Sequence, residues 1–193
     1  MNKNPKIKRI VIAGVPGSGK TTLSRQLSGI WKVKLIELDA LWWNPGWQST
    51  PREEFRGRVD AALPANGEWV VDGNYSRVRD FTWGRAEMLI WLDYALSTCL
   101  RQLLGRTLAR IWDQQELWAG NRESFQKAFF NRDSIFLFAI KMHKDLKNSY
   151  PAALAQPEFS HLKVVRLRSP GETACWLRQA QLPEAKKMGS RVI

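Results

Sequence analysis

Residues Gly14-Val15-Pro16-Gly17-Ser18-Gly19-Lys20-Thr21 carry the pattern G-x-x-x-x-G-K-[ST], and no other stretch of the chain restricts its fold so tightly. The pattern works only between a strand and a helix, and the flanks comply. Ile7–Ala13 is β-branched and reads as a strand, while Thr21–Leu27 can continue as a helix. Glycine is required because the loop must turn its backbone N–H groups inward, through dihedrals and close approaches that a side chain would obstruct. Those amides, with the positive end of the helix, hold phosphate oxygens. The expected nucleotide-binding residues are therefore Gly14, Pro16, Gly17, Ser18, Gly19, Lys20, Thr21 and Thr22. Lys20 is placed to reach the β- and γ-phosphates, and the Thr21 hydroxyl to ligate Mg²⁺.

Downstream, strands alternate with helices. Val33–Leu38 reads as a second strand ending at Asp39, and Trp42–Trp47 as a loop interrupted by Pro45 and Gly46. Thr50-Pro51-Arg52-Glu53 predicts a helix start, with Thr50 as N-cap and a capping-box glutamate, running to about Leu63. Glu68–Asp72 and Met88–Asp93 are short apolar runs closing on an acid, as in strands buried on both faces. A helix from about Ser97 has an apolar stripe of Leu100, Leu103, Leu104, Leu108 and Ile111, with Arg106, Arg110 and Asp113 on its polar face. Periodicity lapses over 113–123 and resumes through Phe125, Phe129, Phe136 and Ile140 to about Asn148; a last strand, 162–167, precedes a helix over 170–181. This order predicts one α/β domain, a parallel sheet between helical layers, with ligands at the carboxyl ends of the strands.

Phosphoryl transfer needs a phosphate cradle, Mg²⁺, a group orienting the acceptor and positive charge on the transferred group. Asp39 could accept a hydroxyl proton or hold a Mg²⁺-bound water; an Asx turn is the plainer alternative. Asp72 begins Asp72-Gly73-Asn74-Tyr75-Ser76-Arg77, a Walker B-like site, a substrate-gripping loop or simple turn chemistry. Arg77 could pair with an anionic substrate, whereas Arg79 and Arg85 read as solvated. Arg106, Arg110, Arg122 and Arg132 are candidates to close over phosphates, with ion pairing to Asp113 competing for Arg106 and Arg110. Trp42, Trp43 and Trp47, among ten tryptophans, could stack a planar substrate or fill gaps beneath loops. His143 has no second metal ligand at useful spacing.

The net charge of +12 raises nucleic acid as a partner. Its distribution argues otherwise: residues 11–96 hold ten charges of each sign, so the excess lies at the ends and in 97–148. No nucleic-acid module or repeat is recognisable. Cys99 and Cys175 lie in apolar helical stretches and read as buried free thiols. No apolar run approaches membrane-spanning length and the polar start lacks a signal-type region, so a soluble cytoplasmic protein, monomer or homodimer, is expected.

Taken together, GVPGSGKTT, LDALWWNPGW, TPREEF, WVVDGNYSRVRD, the helix with Arg106, GNRES and RDSIF resemble the adenylate-kinase-like P-loop kinases. Within these they are similar to the group called DNA topology modulation protein or FlaR. The resemblance spans roughly residues 8–170. It implies a three-layer αβα sandwich with a five-stranded parallel sheet in the order 2-3-1-4-5, a nucleotide-monophosphate-type region around 39–65, and an arginine-bearing helical lid around 105–135. It makes Arg77 the position for a substrate phosphate and puts Leu167-Arg168-Ser169-Pro170 in the place of the adenine-wrapping loop. The Asn74-Tyr75-Ser76 insertion departs from the Asp-Gly-Phe-Pro-Arg segment of adenylate kinases. The expected activity is an ATP- and Mg²⁺-dependent transfer to a small acceptor, a nucleotide or nucleoside first. Catalysis is expected from Lys20, Asp39 and Arg106, and substrate binding from Asp39, Trp43, Asp72, Asn74 and Arg77. The alternative is a P-loop ATPase or nucleotide-dependent switch affecting DNA topology.

Overall fold

A computed structural model describes residues 8–129 and 134–181. Five parallel strands form the central sheet: β1 (Arg9–Gly14), β2 (Lys34–Glu37), β3 (Trp69–Asp72), β4 (Met88–Leu92) and β5 (Lys163–Leu167). Their order across the sheet is β2-β3-β1-β4-β5, as the sequence led us to expect. Every residue of β3 and β4 is buried, and in β1 only Arg9 escapes. Since successive side chains alternate between faces, burial at every position means that both faces are covered. The edge strand β5 instead leaves Lys163, Val164 and Arg166 exposed.

Eight helices surround the sheet among the described residues: α1 (Lys20–Trp31), α2 (Leu38–Trp42), α3 (Arg52–Ala62), α4 (Arg79–Arg85), α5 (Leu96–Trp112), α6 (Phe125–Phe129), α7 (Ile135–Leu154) and α8 (Pro170–Gln181). The core joins Ile10, Ile12, Val70 and Ile90 from the strands to Trp69, Trp83 and Tyr150, all at most 1 % exposed. Trp83 meets Tyr150 and Phe159 edge-on at 5.1 and 5.3 Å, the favoured arrangement for aromatic quadrupoles.

Several local expectations give way to tertiary packing. The second strand stops at Glu37, and α2 begins at once, so Asp39 lies on a helical turn. Trp43–Asn44 and Gln48–Ser49 pair as a two-residue antiparallel hairpin around Pro45-Gly46-Trp47, within what reads as loop. Thr50 does not cap α3; its hydroxyl donates to the Trp42 carbonyl at 2.8 Å, tying the hairpin's exit to its entry. On α5 the buried line is Cys99, Leu103 and Thr107, while Leu104 and Leu108 are exposed. The glycine-rich loop presses against that face at Cys99 and Leu103. Cys175 is exposed, not buried. Phe125 and Ile140 are exposed as well.

Candidate active site

Sheet register sets the site. Ile12 lies opposite Asp72, and Asp72 opposite Glu37, so two acids stand beside the strand that runs into the glycine-rich loop. In that loop Gly17 has φ +81° and Gly19 φ +87°, backbone states that side chains resist. A Cβ on Gly17 would overlap the Cys99 carbonyl oxygen and lie 2.9 Å from Leu103 Cβ, so glycine is needed for the loop to seat on α5. A Cβ on Gly19 would meet open space. Pro16 is half-buried and Thr22 exposed on α1.

Lys20, at the start of α1, donates from Nζ to the Val15 carbonyl at 3.1 Å. Burial pushes its ammonium below the ordinary lysine range, and Arg106 adds to this, while Asp72 and Asp39 pull the other way. The Asp72 carboxyl is pushed up by burial against the pull of Lys20 and a hydrogen bond from the Thr21 hydroxyl. Its Oδ1 has no partner, and neither has the buried Ser18 hydroxyl.

Asp39 accepts a 2.5 Å hydrogen bond from the Tyr75 hydroxyl at Oδ1. Burial, with the Asp39 charge beside it, drives the Tyr75 phenol far above its usual range, so it stays a donor. Trp42 packs between Phe55 (4.9 Å) and Tyr75 (5.4 Å), which holds the Asp39 turn against α3. The Arg77 guanidinium sits over the Trp42 ring at 5.1 Å. Trp43 is half-buried and meets Trp47 edge-on at 5.4 Å. Asn74 turns toward α7, with its amide 3.9 Å from the Met142 sulfur.

From the opposite side α5 delivers Arg106. Its guanidinium is held below the usual arginine range by burial and by Arg110, and Asp39 and Asp72 both act on it. Glu123 anchors the pair, 2.8 Å from Arg110 and 4.0 Å from Arg106, and Arg106 Nε remains unpartnered. Asp113, the expected partner, does not take part. Arg122 pairs with Glu116 at the surface, 3.7 Å away; Arg132 lies outside the described residues.

The segment between α5 and α6 is clasped to the hairpin after α2. The buried Asn121 accepts from the Trp47 backbone N–H at 2.9 Å and donates to the carbonyls of Asn44 (2.9 Å) and Trp118 (2.8 Å). The Trp47 indole donates to the Arg122 carbonyl at 3.2 Å. Trp118 donates to Glu37 at 3.0 Å, and Glu37 also takes Arg25 at 2.9 Å. Tyr75, Glu37, Trp118, Asn121 and Glu123 are the residues that sequence reasoning missed. Apart from the Asn121–Trp118 bond, their side-chain partners lie 12 to 81 positions away, beyond any periodic pattern. Asp93 pairs with Arg166 at 2.6 Å, and His143 Nε2 lies 3.0 Å from the Tyr94 carbonyl oxygen, both away from this chemistry.

Lys20, Asp39, Asp72 and Arg106 are therefore electrostatically coupled in one place, with Thr21 bonded to Asp72. Among the described residues no group of three His, Cys, Asp or Glu could cage a metal. Mg²⁺ keeps most of its waters and needs only one or two protein oxygens. The unpartnered Asp72 Oδ1 beside the Thr21 hydroxyl fits such an ion, and the orphaned Ser18 hydroxyl within a glycine-lined loop fits a phosphate chain.

No family model matches the sequence, and no curated protein matches it. Solved structures do. A shikimate kinase from Acinetobacter baumannii in complex with shikimate is 14% identical, with 91% of each chain covered and a TM-score of 0.51. A shikimate kinase from Bacteroides thetaiotaomicron is 15% identical over 91% of this chain and 97% of that one, with a TM-score of 0.52. At such identities the likeness concerns architecture alone. The loop, the strand order and these neighbours agree on it: the chain has the fold of the P-loop kinases.

Proposed function

We propose that this protein is an ATP- and Mg²⁺-dependent phosphotransferase acting on a small acceptor. The observation that carries the reading is the convergence of Lys20, Asp39, Asp72 and Arg106 around a Thr21 bonded to Asp72. ATP, when bound, supplies the γ-phosphoryl group, and catalysis of its transfer is mostly positioning and charge stabilisation. The loop amides, Ser18 and Lys20 grip the phosphate chain, while Thr21 and Asp72 hold the cation, directly or through water. Asp39, fixed at Oδ1 by Tyr75, keeps Oδ2 to orient the acceptor and draw off its proton. Arg106, steered by Glu123, brings positive charge to the transferred group. The clasp between residues 116–123 and the hairpin excludes water, which suppresses hydrolysis.

The resemblance to the DNA topology modulation group favours a nucleotide or nucleoside acceptor, read by Trp43 and Arg77. The shikimate kinases, whose fold this chain shares, are named for a small hydroxylated acid and keep small-molecule acceptors in view. A panel of nucleosides, nucleotides, sugars and hydroxy acids, scored for acceptor-stimulated ATP consumption, tests the reading. At least one acceptor stimulates turnover, and Lys20→Ala and Asp39→Asn each lower the stimulated rate by about a hundredfold or more. ATP turnover that no acceptor stimulates would overturn it.

A further inference from the structure

One cleft lies away from the glycine-rich loop. It has a volume of about 530 Å³ and lies between the start of α3, the segment after β3 and the turn after α7. Its charged lining comprises Arg52, Arg56, Arg77, Arg79, Asp80 and Glu158; Lys20, Asp39, Asp72 and Arg106 are not part of it.

Four guanidinium groups in one cleft repel one another unless something neutralises them, and here only one is neutralised. Asp80 grips Arg56 with both oxygens, at 3.0 and 2.6 Å, and is held below the usual carboxylate range by that contact. Among the described residues the other three have no carboxylate partner. Arg79 lies over the Trp83 ring at 4.4 Å and the Tyr150 ring at 5.5 Å. Arg77 lies over Trp42. Arg52 is exposed on the first turn of α3. Several arginines elsewhere are paired instead: Arg9, Arg25, Arg58, Arg85, Arg110 and Arg166 each have an acid within 3.2 Å. Three cations set against one remaining carboxylate, Glu158, leave the cleft with two uncompensated positive charges.

Stacking on aromatic rings holds Arg77 and Arg79 in place without using their N–H forks. Such forks match phosphate oxygens two at a time and stay charged at any physiological pH. The volume falls in the range of small-ligand sites, roughly 300–1,000 Å³. We propose that this cleft is a second anion site, separate from the glycine-rich loop and sharing only Arg77 with the proposed acceptor site, which takes a small soluble molecule bearing two or more phosphate groups. Arg56 also donates to the Arg77 carbonyl at 2.6 Å, so an occupant is coupled to the segment that carries Tyr75 and, through it, Asp39. The binding itself does not depend on turnover at the loop.

The test is calorimetric titration of the full-length chain with inorganic pyrophosphate, in a Lys20→Ala background to weaken uptake by the loop. Pyrophosphate binds there, and Arg52→Glu weakens it at least about tenfold, as loss and reversal of a phosphate-pairing charge should. Arg79→Gln does the same provided its circular dichroism matches the parent, and Arg52→Glu covers the case where it does not fold. Arg101→Glu, an exposed arginine on α5 away from the cleft, leaves binding unchanged. Equal affinity in the parent and Arg52→Glu, or no heat at all, would overturn the proposal. So would binding of duplex DNA that needs Arg52 and that pyrophosphate does not compete with, since that would make the surface a nucleic-acid contact.

Discussion

Asp72 shows how a single residue carries both the chemistry and its cost. Burial lifts its carboxyl above the ordinary aspartate range, despite Lys20 and the Thr21 hydroxyl, because the low-dielectric surroundings disfavour charge. A group whose pKa is raised by folding contributes stability at low pH and loses it as pH rises through the folded value. The loss therefore begins near the unfolded aspartate value of about 4 and is complete above the raised one. Asp72→Asn has no such proton to lose. Its melting temperature relative to the parent should shift upward between about pH 4 and pH 7, with Mg²⁺-dependent activity abolished at both. A difference that stays constant across that range would contradict the raised carboxyl. The position of Asp72 at a strand end is legible in the sequence; its bond to Thr21 is not, since it depends on the lateral register of β1 and β3.

At the scale of elements, the seating of the glycine-rich loop on α5 separates two glycines that the motif treats alike. Both have positive φ, so alanine at either costs roughly 1–2 kcal/mol of backbone strain. Only at Gly17 would the new methyl also run into Cys99 and Leu103. Gly17→Ala should be less stable than Gly19→Ala by about 1–3 kcal/mol in urea unfolding, the cost of overpacking a tight contact. This contact also explains the misread face of α5. Leucine spacing points to Leu104 and Leu108, yet the buried line is Cys99, Leu103 and Thr107, and the loop seats on it at the Cys99 carbonyl and Leu103. The clasp of residues 116–123 was equally hidden, because Asn121 looks like a turn residue and its partners Asn44 and Trp47 lie more than seventy positions earlier. Asn121→Ala leaves the half-buried Trp47 N–H and Asn44 carbonyl without this partner, at about 1 kcal/mol. Trypsin should then cut after Arg122 about tenfold faster in the native protein, through local opening; an unchanged rate would mean that the clasp does not hold the segment.

For the molecule as a whole, a parallel sheet was readable because strands buried on both faces leave short apolar runs, whereas the order of those strands was implied by the resemblance to the adenylate-kinase-like P-loop kinases. The site's rim followed from the same rule, which brings Asp39, Asp72 and the loop to the carboxyl ends of the strands. The encounter of α5 with that rim depends on how the insert folds back, and side-chain types alone do not encode it. The charge pattern belongs to this scale too: residues 11–96, which hold β2, β3, β4 and most of β1, are balanced, and positive groups come to the phosphate site singly, as Lys20 and Arg106. The whole account rests on a loop that grips a triphosphate with the help of a cation held by Thr21 and Asp72. Calorimetric titration of the parent protein and Lys20→Ala with ATP, each with Mg²⁺ and with excess chelator, tests this most directly. The account predicts saturable binding to the parent that weakens at least about tenfold without Mg²⁺ and again with Lys20→Ala. No binding to the parent, or equal affinity in the two proteins, would contradict it.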